Sequence, residues 1–354
     1  MKMHTWLGAL LSAAAIIAPA SAQLDWTPAH AEAVVARLEA GDFGTVTSVL
    51  VLQGGEPVFE RYFNGADAAT LHNTRSVTKT ITGMAVGAAV EDGLLDPDAP
   101  LAPLFSDIAP FENPDPRKEA ITARDLLTMS GPLECNDWNG ASRGNEERMY
   151  LVEDWPSFFW DLPIRGFPSW ETPPHQTEFG RAFSYCTAGV QMLGEAVERA
   201  AGEPFTAYAE RRVFAPAGVD GFEWSRNGQG QAHLGGGLLL TTRSLAAFGE
   251  LQRLGGTVGG ERVFSQAWAE ASLTAQARIN DDTTYGYLWW LGEADGPHGA
   301  APHAYMSGNG GNRVWVLPDH GLTVVLTKTD FNTRGMHDQA DLFFTEAILP
   351  ALDE

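Results

Sequence analysis

Lysine is nearly absent from this chain: four residues against 19 arginines in 354. Cysteine is scarcer, with Cys135 and Cys186 the whole complement. Two cysteines without a third or fourth ligand beside them argue against a thiolate zinc site. In an oxidising compartment they either pair or remain two buried thiols, and their spacing leaves both open. The nine histidines form no ligand spacing. There is no H-E-x-x-H, and His298 with His303 falls in a Gly/Pro-rich stretch read as a loop. No metal or other cofactor is expected. Basic charge is also short, giving a formal net charge of −22. That excess argues against non-specific binding to nucleic acid or anionic lipid and is read as serving solubility.

Beyond residue 22 no apolar run is long enough to span a bilayer. Before it, Lys2 leads into LGALLSAAAIIAP, and ASA precedes Gln23. This reads as a secretory signal peptide, so the mature chain is expected to be exported, periplasmic or extracellular, with no transmembrane segment. Length alone does not fix the oligomeric state.

The remaining residues divide into three stretches. PAHAEAVVARLEA, from Pro28 to Ala40, carries apolar residues at helical spacing, and TVTSVLVLQGGEPVFERYFNG reads as strand, Gly-Gly turn, strand. From about 105 to 225, Pro, Trp and charged residues crowd between short helical patches, which reads as a mostly helical insertion. After 230 come a helix in LLLTTRSLAAFGELQRLG and strands in YGYLWWL, RVWVLP and LTVVLTKT, the last two joined by a DHG hairpin. MHDQADLFFTEAILPAL closes the chain as an amphipathic helix. The expected architecture is an α/β (α+β) domain from residues 23–104 and 226–354, with a helical domain at 105–225 inserted.

One of the rare lysines stands in NTRSVTKTITGMAVGAAVEDGLL, three residues after Ser76 at the start of an apolar helix. Residues i and i+3 share a helix face, so the amine of Lys79 can reach the hydroxyl of Ser76. The helix N-terminus favours developing negative charge there. A serine hydroxyl attacks only when a base takes its proton, and lysine serves as that base when its surroundings disfavour its charge. The bland alternative is two polar residues at a helix end. Fifteen serines and four lysines make one chance S-x-x-K match in roughly five such chains, but a charge inside an apolar helix is costly without a use. GASRG around Ser142 also matches a nucleophile-elbow pattern. Its flanks, ECNDWN and NEERMY, are polar where an apolar strand and a packing helix are required, so Ser142 is read as a loop serine.

TRSVTKTITGMAVGAAVEDGLLDPDAPL resembles the nucleophile helix of the serine β-lactamase/penicillin-binding-protein superfamily, closest to its class C-like branch of esterases, D-aminopeptidases and 6-aminohexanoate-dimer hydrolases. ARDLLTMSGPLEC, FSYCTAGVQMLGEAVE, GGGLLLTTRSLAAFG and SGNGGNRVWVLPDHGLTVVL resemble further segments of that branch, in the same order, from about residue 45 to 330. The resemblance implies a β-lactamase-like fold with an antiparallel sheet flanked by helices, and a Ser76 nucleophile with Lys79 and Tyr185 sharing the proton transfers. It implies an oxyanion hole from the backbone amides of Ser76 and Gly308, with Asn309 the next candidate. Thr187 stands where the second motif usually has asparagine, and YMSG at 305–308 replaces the usual third-motif Lys-Thr-Gly. That lysine normally helps to bind the carboxylate of β-lactams and cell-wall peptides. Arg313 is the candidate substitute, and Asn309, Thr187 and Arg313 are grouped as substrate-binding candidates. A Cys135–Cys186 bridge would brace the loop of Tyr185, since Cys186 follows it directly.

The function expected is an exported serine hydrolase cleaving an ester or small amide. A β-lactamase or D,D-peptidase, and a non-enzymatic envelope-binding protein on the same fold, remain alternatives. The partner expected is a small-molecule or short-peptide substrate. Three tryptophans and three phenylalanines in EDWPSFFWDLPIRGFPSW, residues 153–170, either line that substrate's site or fill the helical domain's core.

Overall fold

A computed structural model describes residues 24–296 and 299–352; the leader segment and His298 lie outside the described residues. Strand β1 (Val46–Gln53) is buried on both faces, with Val49 and Val51 pointing into one core and Leu50 and Leu52 into the other. Gly54 and Gly55 both hold positive φ, 61° and 90°, as a tight hairpin turn of this hand demands, and return the chain as β2 (Glu56–Tyr62). The sheet is completed by β3 (Ala277–Arg278), β4 (Thr283–Tyr285), β5 (Trp290–Gly296), β6 (Gly299–Gly308), β7 (Asn312–Leu317) and β8 (Leu322–Lys328). Every neighbouring pair is antiparallel, in the order β2-β1-β8-β7-β6-β5-β4-β3.

One face of the sheet is covered by α1 (Pro28–Ala40) and α5 (Met336–Phe343), whose Val34, Leu38 and Phe343 pack with Trp315 and Leu326. The other carries α2 (Val77–Glu91) and α4 (Thr242–Arg253), with α3 (Thr187–Ala201) packed on α2. The stretch 105–225 holds short helices and the longer α3 between irregular segments, and its buried residues join the core of the rest of the chain. Phe105, Phe159 and Trp160 belong to one continuous cluster with Ile81 and Met84 of α2. At its end, Phe222–Trp224 pairs with Leu238–Leu240, which in turn pairs with His72–Asn73. The chain thus re-enters the α/β part through a small three-stranded sheet beside Ser76.

Two readings of the sequence are corrected here. YGYLWWL is not one strand: the backbone breaks between β4 and β5, with Leu288 at a φ of 59°. The Gly/Pro-rich stretch holding His303 is not a loop but strand β6, in which His303 packs on Phe344 and Tyr305. Glycine and proline masked a strand because its register is supplied by β5 and β7 rather than by local propensity. No helix among the described residues is long and apolar enough to cross a membrane.

Buried histidine is prominent. His72 closes a ring of hydrogen-bonding groups: Nδ1 to Thr47 Oγ1 at 3.2 Å, Thr47 to Thr327 at 2.7 Å, Thr327 to Ser48 at 2.6 Å, Ser48 to Thr242 at 2.6 Å, and Thr242 back to Nε2 at 3.2 Å. Four hydroxyls and one ring N–H supply one donor per bond, so neutral imidazole closes the ring with every donor used, whereas an imidazolium would leave one hydroxyl proton without an acceptor. Burial lowers the His72 pKa to about 4, and also lowers His233 to about 4 and His337 to about 3. Each folded value lies below that of the unfolded chain. Their contribution is therefore complete above pH ~6.5 and is lost as pH falls toward 4, His72 alone accounting for roughly 3 kcal/mol. Asp137, whose pKa burial raises to about 6, works in the opposite sense and offsets part of that loss. Urea midpoints should fall steeply between pH 6.5 and 4.5; a flat profile there would refute the account.

Candidate active site

Ser76 sits one residue before α2 in helical conformation, with φ −67° and ψ −6°. It is turned toward the sheet by Arg75, whose φ of 51° is uncommon for a residue with a side chain. The start of α2 is stitched to the segment 234–238. Thr78 Oγ1 accepts from the Leu238 amide at 3.1 Å, Thr82 Oγ1 donates to Leu234 O at 2.7 Å, and Thr74 Oγ1 donates to Leu238 O at 2.6 Å. Thr78 and Thr82 of the apolar-looking helix, with Thr74 just before it, satisfy backbone groups of 234–238 that would otherwise be unpaired.

The stitching brings Gly235 O to the lysine. Lys79 is 1% exposed, and its Nζ donates to Gly235 O at 2.6 Å and to Ser76 Oγ at 3.1 Å. The same nitrogen lies 5.0 Å from the centre of the Tyr185 ring. Tyr185 is 7% exposed. Burial pushes its phenol pKa up, while the Lys79 charge and the Ser76 hydroxyl pull it down less strongly. Tyr185 therefore keeps its proton at rest, and Ser76, Lys79 and Tyr185 meet at one point.

Gly308 ends β6 against the backbone that leads into Ser76. A Cβ there would lie 2.2 Å from Thr74 O, so no other residue fits without moving the strand. Among the described residues no acceptor takes the Ser76 amide proton, which leaves it free to point at a developing oxyanion. Asn309 lies one residue further, but its side chain is held by reciprocal bonds to Asn332, donating to Asn332 Oδ1 at 2.6 Å and accepting from the Asn332 amide at 2.8 Å.

The other two substrate-binding candidates are engaged in bonds of their own. Thr187 is fully buried at the start of α3, its hydroxyl within 2.8 Å of both Asp137 Oδ2 and Glu146 Oε2. Arg313, 3% exposed on β7, is on the terminal-helix side of the sheet and bonds to Ser307, His337 and Asp341. The reason is alternation: Arg313 shares a face with Trp315, which packs against Phe343 and Phe344. In place of the third-motif lysine stands Met306, fully buried on the opposite face. Ser142 is also 3% exposed in a loop, donating to Glu134 O and accepting from the Asn136 amide.

Sequence reasoning missed the wall of the site. Trp138, 57% exposed, stacks on Tyr185 at 5.5 Å and 10°, and Trp290 lies 5.9 Å from Tyr185 and stacks on Tyr305. Beyond Trp138 and Phe183 opens a groove of about 630 Å³ with Arg165, Arg181, Glu134 and Glu178 on its walls. The aromatics of 153–170 do not form this wall. Trp155, Phe159 and Trp160 are in the core, Trp160 stacked on Phe111, and Trp170 is 82% exposed. Asp137 and Glu146 were missed as well. No local pattern marks any of them, because they reach the site only through long-range packing.

Cys135 and Cys186 are joined by a disulfide, with Cα atoms 5.3 Å apart. It fixes the residue after Tyr185 to the segment that carries Asp137 and Trp138. A bridge closing a 51-residue separation is expected to stabilise by about 2–4 kcal/mol. Reduction, or a double Cys→Ser change, should lower the melting temperature by several degrees and cost activity below that temperature. An unchanged melting curve after complete reduction would contradict this.

Geometry in which a buried amine can take the proton of a serine hydroxyl aimed at an acyl carbon is the geometry of a serine hydrolase. The comparisons with known proteins agree. The model of the Beta-lactamase family matches residues 32–343, and the chain belongs to that family as a hydrolase. It is 26% identical over 305 residues to the 6-aminohexanoate-dimer hydrolase of Paenarthrobacter ureafaciens, covering 81% of this chain and 74% of that one. Among solved structures, a family VIII carboxylesterase superposes with a TM-score of 0.69 at 17% identity, covering 92% of this chain and 98% of the other. A penicillin-binding protein from Bacillus halodurans gives 0.65 at 19% identity, covering 88% and 98%. Both show the fold.

Proposed function

We propose that this protein is an exported hydrolase that opens an ester or a simple amide through an acyl-enzyme on Ser76. The observation that carries the reading is the buried Lys79 amine, 3.1 Å from Ser76 Oγ with Gly235 O its other hydrogen-bond acceptor. With the amine in its free-base form, the serine O–H donates to Nζ and Oγ attacks the acyl carbon. The negative charge that builds on the carbonyl oxygen is received by the Ser76 amide and the Gly308 amide. Tyr185, which retains its proton, then protonates the departing alkoxide or amine. Its phenolate next takes a proton from the water that hydrolyses the acyl-enzyme, with Lys79 returning the proton to serine.

The names of the relatives support an ester or amide, one being called a 6-aminohexanoate-dimer hydrolase and one a carboxylesterase. A β-lactam or D-peptide is disfavoured because the carboxylate-binding lysine is replaced by buried Met306, while Arg313 is committed elsewhere. Export is supported by the leader-like first 22 residues and by the disulfide, which persists in oxidising compartments. The test is kcat/KM across p-nitrophenyl esters, alkyl esters, small amides, D-peptides and cephalosporins. Missing a charge-assisted contact, the carboxylate-bearing cephalosporins should trail the best ester by roughly 10–100-fold or more. Cephalosporins turned over as fast as the best ester would sink the proposal.

A further inference from the structure

Beneath the site lies a hydrogen-bond count that does not close with ordinary protonation. The Thr187 hydroxyl is 2.8 Å from Asp137 Oδ2 and 2.8 Å from Glu146 Oε2. A hydroxyl owns one proton and can donate to only one of them. Asp137 Oδ2 also accepts the Thr187 amide at 2.7 Å, and Asp137 Oδ1 accepts the Glu146 amide at 2.9 Å. The remaining contact is a hydrogen bond only if one carboxyl is protonated and donates to Thr187 Oγ1; otherwise a hydroxyl lone pair faces a carboxylate. Two carboxylates this close, one of them deeply buried, favour sharing a single proton.

We propose that Asp137 and Glu146, bridged through the Thr187 hydroxyl, share one proton on the acid side of neutrality and, once both are ionised, set the pH up to which Tyr185 keeps the proton it donates. The inference rests on the acyl-enzyme reading above. Both are positioning residues, acting through Lys79 and Tyr185 rather than on substrate. The coupling is direct: the Asp137 amide donates to Tyr185 O at 2.8 Å, and Thr187 lies two residues after Tyr185. Burial is the main influence raising the Asp137 pKa to about 6; the Lys79 charge opposes it and Glu146 adds to it. The other groups facing the pair are His233, which burial holds neutral down to about pH 4, Tyr150, whose phenol burial pushes well up, and Arg75. Neither His233 nor Tyr150 changes charge near pH 6.

The sign follows from charge. With both carboxyls ionised the pair carries two negative charges where an amide variant carries one, and it opposes a Tyr185 phenolate. Removing one carboxylate lets Tyr185 lose its proton at lower pH, and because Tyr185 acts as the acid the alkaline limb of kcat/KM should move downward. The experiment is the pH profile of kcat/KM on a neutral ester for Asp137→Asn, Glu146→Gln, Thr187→Val and Thr187→Ser, with melting curves for each. The two amide variants should shift the alkaline limb down by about one pH unit. Thr187→Val, which cuts the bridge, should move it as well, and Thr187→Ser, which keeps the hydroxyl, should restore the original limb. Difference infrared spectra should show a protonated-carboxyl C=O band in the unaltered protein below pH 6 that is missing from both amide variants. Activity that falls equally at every pH, or no such band in the unaltered protein, overturns the inference. Should an amide variant not fold, the Thr187→Ser and Thr187→Val pair and the infrared band still decide it. Loss of all turnover in Ser76→Ala with unshifted limbs in the others separates failure of this inference from failure of the acyl-enzyme reading.

Discussion

Ser76→Ala should abolish turnover, lowering kcat by about 10⁴-fold or more, and should eliminate covalent labelling by a fluorophosphonate. The effect is large because no other hydroxyl at the site has a buried amine within reach. Lys79 Nζ makes its two contacts with Ser76 Oγ and Gly235 O, and Ser142 is held in its own loop by Glu134 and Asn136. Stability should change little, since the Ser76 side chain makes no capping bond to α2. The decisive measurement is the stoichiometry of label on intact protein for Ser76→Ala and Ser142→Ala in parallel. A labelled Ser76→Ala with an unlabelled Ser142→Ala would reverse the assignment.

Tyr185→Phe is expected to have the next largest effect. Phenylalanine keeps the stack on Trp138 and the contact with Trp290 and loses only the hydroxyl. Because burial keeps that hydroxyl protonated, its role is that of an acid, and its loss should cost about 10²–10⁴-fold in kcat with little change in KM. The loss should depend on the leaving group. p-Nitrophenolate departs without a proton and should suffer least, whereas an alkoxide or an amine needs the proton and should suffer most. Equal losses across a leaving-group series would show that Tyr185 shapes the site without transferring a proton.

Much of this site was legible in the chain because its centre is local. Ser76 and Lys79 lie one helical turn apart, so helix geometry alone brings them together, and the scarcity of lysine made the pair conspicuous. Helix α1 and the β1–β2 hairpin were equally readable, their apolar periodicity and Gly54-Gly55 turn being properties of a few adjacent residues. Reading failed where a residue's surroundings come from elsewhere in the chain. Strand β6 looked like a loop because its partners β5 and β7, not its own composition, hold it extended. Arg313 looked available for a carboxylate, yet alternation along β7 turns it under the terminal helix.

The sequence by itself determined that Ser76 and Lys79 lie side by side and, through ordered resemblances, the fold that carries them. Tertiary structure alone decided what surrounds them. It showed that Trp138 and Trp290, rather than the aromatics of 153–170, wall the site, that Thr187 bridges two carboxyls, and that Cys135 and Cys186 are bonded. The physical reason is range. Backbone geometry fixes which side chains meet within a turn of helix or a hairpin, whereas contacts between distant segments exist only once burial of the shared core has brought those segments together.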